Sequence, residues 1–397
     1  MQVCDAGVPT RFIGDKNSVS RKSSTITGRE RARKAGVKAA AGPGPATARA
    51  GRAGSRRNAM KLAFRPRAPF DFHLSALIFS GGDPEIQAYD GQRYWRVLRA
   101  GDELRLVRIR SRGTTARPRL EVEVAPGRKL SAPALDGLRH ALEELFNLRL
   151  DLTPFYHMAA GDPVLARVAA RLLGLRNSTT PTPHEALVNA IIEQQISLRA
   201  AWSMQRRMIK TYGEALEAAG GKYYAFPTPA KLGSLLVDEL KACGLSTRKA
   251  EYVIGVSGQI ASGKLNLEAM RRLPSAEILP RLTALRGIGR WTAEMTMLRG
   301  MAKYDAFPAD DLGLRRLIGN FYGRKRREPP GAPASTPERR PRRPAPGQKQ
   351  PAIRLPGPVS AEEARRIAES WGEWKGLAIY YLLVTRLAGL EAQAQLG

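Results

Sequence analysis

The chain has 397 residues, with 65 Lys and Arg against 36 Asp and Glu, and a formal charge of +29. That length allows two or three domains with cores of their own, and a 43% hydrophobic content excludes a disordered polycation. No apolar run reaches the roughly 18 residues of a membrane helix, and two cysteines, Cys4 and Cys243, cannot build an iron–sulfur cluster, a four-thiolate zinc site or a disulfide framework.

The charge is concentrated. Residues 1–59 hold 13 Lys and Arg against 3 Asp and Glu, and residues 324–356 hold 10 against 2, leaving +11 on the other 305 residues. Both stretches are poor in large apolar side chains and cannot bury enough surface to offset ordering entropy, so both are expected to be disordered. The first has no apolar h-region, which excludes a secretory signal. It reads as an organelle transit peptide or, more simply, as sequence ahead of a start at Met60, which gives a cytoplasmic, nucleoid-associated protein. The remaining +11 points to a polyanionic partner, most simply nucleic acid, and a solvated charge excess is the alternative.

From 60 to 150 the pattern predicts a small α+β domain. Runs at 94–98, 104–109 and 120–124 alternate apolar and polar residues, as in an antiparallel sheet with one face in water. Helical spacing follows over 133–150. Beyond 151 nearly everything is helical, near 163–174, 184–212, 229–243, 247–262, 275–285, 290–302, 311–322 and 360–387. Gly244, Gly287 and Gly323 fall at stops, and Pro181, Pro183, Pro227, Pro229 and Pro274 fall in linkers or at starts. The expected fold class is α+β: an antiparallel-sheet domain over 60–150, then an all-α helix-hairpin-helix domain over 151–323 and 357–397, interrupted by the insert at 324–356.

The chemistry concentrates in Leu285-Arg286-Gly287-Ile288-Gly289-Arg290-Trp291-Thr292. Two glycines around one apolar residue let the backbone turn sharply between two helices and approach a ligand closely. The amides that open the second helix then face outward, where a phosphate is favoured. Gly287, Gly289, Arg290 and Thr292 are thereby placed to grip a DNA backbone without reading sequence, while Ile288 pins the hairpin inside. An ordinary corner in a helical bundle fits Gly-Ile-Gly equally well. Twenty residues after Trp291 stand Asp310 and Asp311, after Pro308-Ala309. Two acids there read most simply as helix caps, yet a carboxylate beside a phosphate grip is electrostatically odd for a pure binding module.

Together these residues resemble the helix-hairpin-helix–GPD superfamily of DNA glycosylases, and within it the alkylbase type, 3-methyladenine DNA glycosylase II. The likeness covers roughly 62–323 and 357–395, and is carried also by the stretches 184–197 (with Glu193-Gln194-Gln195-Ile196-Ser197), 240–251 and 368–375 (with Trp371-Gly372-Glu373-Trp374-Lys375). The resemblance implies that Asp311 is the catalytic acid and Asp310 the helix cap. Its carboxylate stabilises positive charge on the sugar, or orients water, as an N-glycosidic bond breaks. An alkylated purine is already cationic and leaves without a strong general acid. Members that also cut the strand carry a Lys where Trp291 stands, its amine forming a Schiff base, so a monofunctional enzyme leaving an intact abasic site is expected; Lys303 matches no such position.

The target nucleotide must be extruded from the duplex. Trp291, Met295 and Leu312 are candidates to line the base pocket, and Gln194 and Gln195 to form the wedge that fills the gap. Trp291 as a core aromatic beside Met295 and Leu298 is the alternative. Met295, Leu312 and Leu383 stand where aromatics line related pockets, which leaves the substrate range open; Trp371 and Trp374 read as core. The resemblance implies no cofactor and no side-chain metal site, with a structural monovalent cation on hairpin carbonyls as the one ion it allows. The partner expected is double-stranded DNA containing damaged bases, bound by a monomer with no membrane association. A glycosylase for 8-oxoguanine or hypoxanthine, and a catalytically silent DNA-binding protein, are the competing readings.

Overall fold

Alternating residues over 94–124 produce the central strands of a five-stranded antiparallel sheet. In this computed structural model, which describes residues 59–323 and 357–390, the strands are β1 (Met60–Phe64), β2 (Gln87–Tyr89), β3 (Arg93–Ala100), β4 (Glu103–Ser111) and β5 (Leu120–Val124), in the order β1-β5-β4-β3-β2. The tail expected up to residue 59 and the insert at 324–356 thus lie outside the described residues, save residue 59. A short helix, α1 (Phe72–Ala76), and the longer α2 (Ala132–Leu145) cover one face. Leu138, Leu142 and Leu145 of α2 pack there with Leu62, Phe64, Tyr94, Ile109 and Val122.

The other face is not simply left to water. A hairpin of β6 (Ala215–Ala218) and β7 (Gly221–Tyr224) lies near it, and Val97, Leu104 and Leu106 form a second small core with Ala225. Arg105, expected on a solvated face, is 5% exposed. Its guanidinium pairs with Glu103 at 2.6 Å and donates to the carbonyls of Leu104 and Arg128, which satisfies a charge that burial would otherwise penalise. The same hairpin means that the second part of the chain is largely rather than wholly helical.

That part runs through α3 (Thr153–Ala160), α4 (Pro163–Arg171), α5 (Pro183–Glu193), α6 (Leu198–Tyr212), α7 (Pro229–Gly233), α8 (Val237–Ala242), α9 (Thr247–Ala261), α10 (Leu267–Met270), α11 (Ser275–Thr283), α12 (Arg290–Met301), α13 (Leu312–Tyr322), α14 (Ala361–Glu369) and α15 (Lys375–Leu387). The single helix expected over 184–212 is two. Gln195 takes φ +56°, in the left-handed region, and Ser197 then caps α6 by accepting from the Ala200 amide, so the chain breaks and restarts at 194–197. The 360–387 segment likewise divides around Gly372, whose φ is +52°. Helix α5 is buried on nearly every side, its polar His184, Glu185 and Glu193 included, and packs against α12 and α9 in the main core. Trp371 is fully buried in that core and Trp374 packs partly buried against it.

Two buried arginines tie sheet and helices together. Arg96 of β3 pairs with Glu185 of α5 at 3.0 Å, both side chains nearly inaccessible. Arg176 donates to the backbone carbonyls of Asn147 and Arg67. Burial lowers its pKa to about 10, and those carbonyls supply the hydrogen bonds that a buried guanidinium needs. No helix of the described residues is long and apolar enough to cross a membrane.

Candidate active site and nucleic-acid interface

Helix α11 ends at Thr283 and α12 starts at Arg290, so 284–289 form the hairpin between them. Gly287 adopts φ +83°, and a Cβ there would drive into the Tyr252 ring of α9. The position is closed to other residues both by conformation and by space. Ile288 is buried, as expected, and the Gly289 N-cap places no side chain over the first amides of α12. Those amides carry the positive end of the helix dipole outward. Arg286, exposed, reaches Glu251 at 2.8 Å and lies over the Tyr252 ring. Arg290, also exposed, holds Glu294 one turn on at 2.9 Å. Glu294 itself is buried, which pushes its carboxyl above the usual range, Arg290 acting in the opposite direction.

Thr292 departs from expectation. Its side chain is 2% exposed, and its hydroxyl accepts at 2.9 Å from Gln194, so it faces inward and cannot offer that hydroxyl to a phosphate. Gln194, expected at the wedge, has its side chain turned to the hairpin instead. Its amide nitrogen also donates to the Gly287 carbonyl at 3.0 Å, fastening the 194–197 loop to the hairpin. From the other side Lys249 donates to the carbonyls of Ile192 and Gln194, at 2.8 and 2.7 Å, and its partial burial lowers its pKa. A cation on the last carbonyls of α5 complements the helix dipole. Gln195 is left exposed at the tip. Nothing in the sequence around Lys249, in the first turn of α9, marks it as reaching another helix.

Asp311 lies next to the hairpin, and its two oxygens have different tasks. Oδ1 accepts the Leu314 amide at 2.9 Å, which makes Asp311 the N-cap of α13. Oδ2 accepts the indole N–H of Trp291 at 3.0 Å. The cap was expected of Asp310; instead Asp310 is exposed and pairs with Arg365 of α14 at 2.9 Å. The residue preceding a helix by one position is the one whose side chain can turn back onto the third helical amide, and α13 begins at Leu312. Trp291 is half-buried and stands apart from the main core, one turn from the buried Met295, while Leu312 is 42% exposed. Leu383 packs against the core. Lys303 is half-buried in the loop after α12.

The arrangement brings together a helix start left without a side-chain cap, a carboxylate fixed by donors to both oxygens, and an exposed loop tip whose base is clamped to the hairpin. Among the described residues no group of three or more His, Cys, Asp or Glu side chains is placed to hold a metal ion. A shallow recess on the sheet, lined by Arg93, Arg108, Arg110, Glu121 and Glu123, belongs to an ion-pair ladder in which Glu121 and Glu123 already hold Arg110 and Arg108. It is not the reactive site.

Comparison with known proteins agrees with this fold. Residues 188–335 match the HhH-GPD superfamily of base excision DNA repair proteins. The chain is 31% identical over 241 residues to a DNA-3-methyladenine glycosylase of Bacillus subtilis, covering 61% of this chain and 69% of that one. It is 28% identical over 221 residues to DNA-3-methyladenine glycosylase 2 of Escherichia coli, covering 56% of this chain and 64% of the other. Among solved structures, a 3-methyladenine DNA glycosylase from Archaeoglobus fulgidus superposes with a TM-score of 0.64 at 24% identity, over 82% of this chain and 98% of that one. An 8-oxoguanine glycosylase/lyase from Clostridium acetobutylicum, bound to DNA, gives 0.58 at 21% identity over 83% and 98%. The fold is common to both.

Proposed function

The chain belongs to the HhH-GPD superfamily of base-excision DNA repair glycosylases, and from that premise we propose that it removes alkylated purines of the 3-methyladenine kind from duplex DNA by hydrolysis, without cutting the strand. One observation carries the reading: the carboxylate of Asp311 is held at 3.0 Å by an indole that belongs to the helix opened by the hairpin. A lesion strand gripped at the starting amides of α12 has its sugar close to that carboxylate. As the N-glycosidic bond lengthens, the sugar becomes oxocarbenium-like, and a fixed negative charge beside it stabilises the transition state more than the ground state. Because Oδ1 and Oδ2 are already engaged, Asp311 need not reorganise when charge develops.

Trp291 supplies the second half of the proposal. An indole cannot form a Schiff base, so the abasic sugar is released rather than trapped on the protein. Extrusion of the target nucleotide costs least for damaged or mispaired bases, which favours lesions over normal purines. Gln195, not Gln194, is the wedge in this reading, and its exposed, left-handed position at the loop tip supports it. The reaction uses no cofactor. The partner is lesion-containing double-stranded DNA, and the active species is a monomer in the cytoplasm.

The test is a panel of duplexes, each with one defined lesion, scored for base release and for strand breaks before and after alkali. Release of 3-methyladenine or 7-methylguanine, with breaks appearing only after alkali, is expected. Release of 8-oxoguanine or hypoxanthine alone would shift the substrate class. Breaks without alkali would contradict the hydrolytic reading, and binding without any release would leave a silent DNA-binding protein.

A further inference from the structure

The first turns of α6 carry an apolar pair that the fold does not use. Leu198 is 52% exposed and Trp202 55% exposed. Spaced i, i+4, they are neighbours on one helix face, and Arg206 continues the same stripe one turn later, its guanidinium 3.7 Å from Asp83. Arg199, also exposed, flanks it. Adjacent exposed Trp and Leu on a soluble protein mark a surface that something covers. The rest of α6 is committed elsewhere: Arg207 reaches the Cys243 carbonyl, and Lys210 holds Asp83 and Glu85.

Position identifies the occupant. The stripe begins immediately after the 194–197 loop, whose base is fastened to the hairpin through Gln194 and to α9 through Lys249. If the hairpin grips the lesion strand and Gln195 enters the duplex, the second strand emerges on the side of the loop away from the hairpin, where α6 starts. Aromatic side chains set among arginines fit a nucleic-acid strand, since the ring offers a stacking face to any base or sugar and the guanidinium groups meet phosphate.

We infer that Leu198 and Trp202 form a platform for the undamaged strand, on which the nucleotide left unpaired by extrusion of its partner is received. The inference rests on the placement of the lesion strand proposed above. The platform lowers the cost of opening the base pair, because the estranged base gains an aromatic stacking contact in exchange for the pairing it loses. It takes no part in bond cleavage.

The test uses the full chain and two probes: a duplex carrying a single tetrahydrofuran abasic analogue, and the same strand without its complement. Trp202→Ala is expected to weaken duplex binding about tenfold, in line with the loss of one base–aromatic stack. Its affinity for the single strand should stay within about twofold of the parent chain. Leu198→Ala should show a smaller loss with the same selectivity, and Trp202→Phe should recover most of the affinity. Unchanged duplex binding, or equal losses on both probes, would overturn the platform. So would a Trp202→Ala chain whose sedimentation differs from the parent's, which would assign the patch to a protein interface. Selective loss of duplex binding by a protein that releases no alkylpurine would uphold the platform and sink the proposed reaction. Alkylpurine release with no effect of Trp202→Ala would do the reverse.

Discussion

Asp311 caps a helix with one oxygen and is restrained by an indole with the other, so in the proposed reaction a single side chain serves structure and chemistry together. Trp291→Phe isolates the second contact, keeping an aromatic ring but removing the N–H. A hydrogen bond to a charged group contributes about 1.5–3 kcal/mol, so single-turnover excision should slow about 10- to 100-fold with little change in binding to abasic duplex. A second residue gives a test of the core. His184 is buried against Ser257, its ring nitrogen 3.0 Å from the hydroxyl, and burial lowers its pKa to about 4. Between pH 6.5 and 4 the unfolded chain therefore binds a proton that the folded chain does not. Stability falls as pH drops through that window, by about 3 kcal/mol in all. Denaturant titrations should show the decline, and His184→Gln should flatten it.

At the scale of elements, the hairpin depends on α9 as much as on its own sequence. Gly287→Ala meets both a positive φ and the Tyr252 ring, and should cost about 2–4 kcal/mol of stability along with duplex affinity. Calorimetry of Gly287→Ala with and without Tyr252→Ala should recover the steric part only. What could be read from the sequence divides along the same line. The hairpin glycines and the acid pair were legible because turn chemistry and helix capping are local, set within three or four residues. Even so, one position of helix register decided which acid is the cap, and it is Asp311. The roles of Gln194 and Thr292 were not legible, because they arise from a contact across 98 residues of chain. Nor was the β6–β7 hairpin, whose short strands have little apolar alternation and owe their place to the sheet beneath them.

Across the whole molecule, sheet and helices act as one body because buried polar groups cross between them. Arg96 and Glu185 pair across 89 residues with almost no exposure. Breaking such a pair strands one charge in the interior, so Arg96→Met should cost about 3–5 kcal/mol, whereas Arg96→Met with Glu185→Met should cost less than either alone; urea unfolding of the three variants checks this. The sheet in this way buttresses α5, and through α5 the loop that Gln194 fastens to the hairpin. Whether a fixed carboxylate at position 311 faces the sugar of an extruded nucleotide is tested most directly by single-turnover excision with Asp311→Asn on a duplex holding one alkylated purine, alongside its affinity for an abasic analogue. Asparagine retains an oxygen for the Leu314 cap but carries no charge. Release should slow by about 10²–10³-fold with affinity within about threefold of the parent chain; release at an unaltered rate would mean that the Asp311 charge does not act on the sugar.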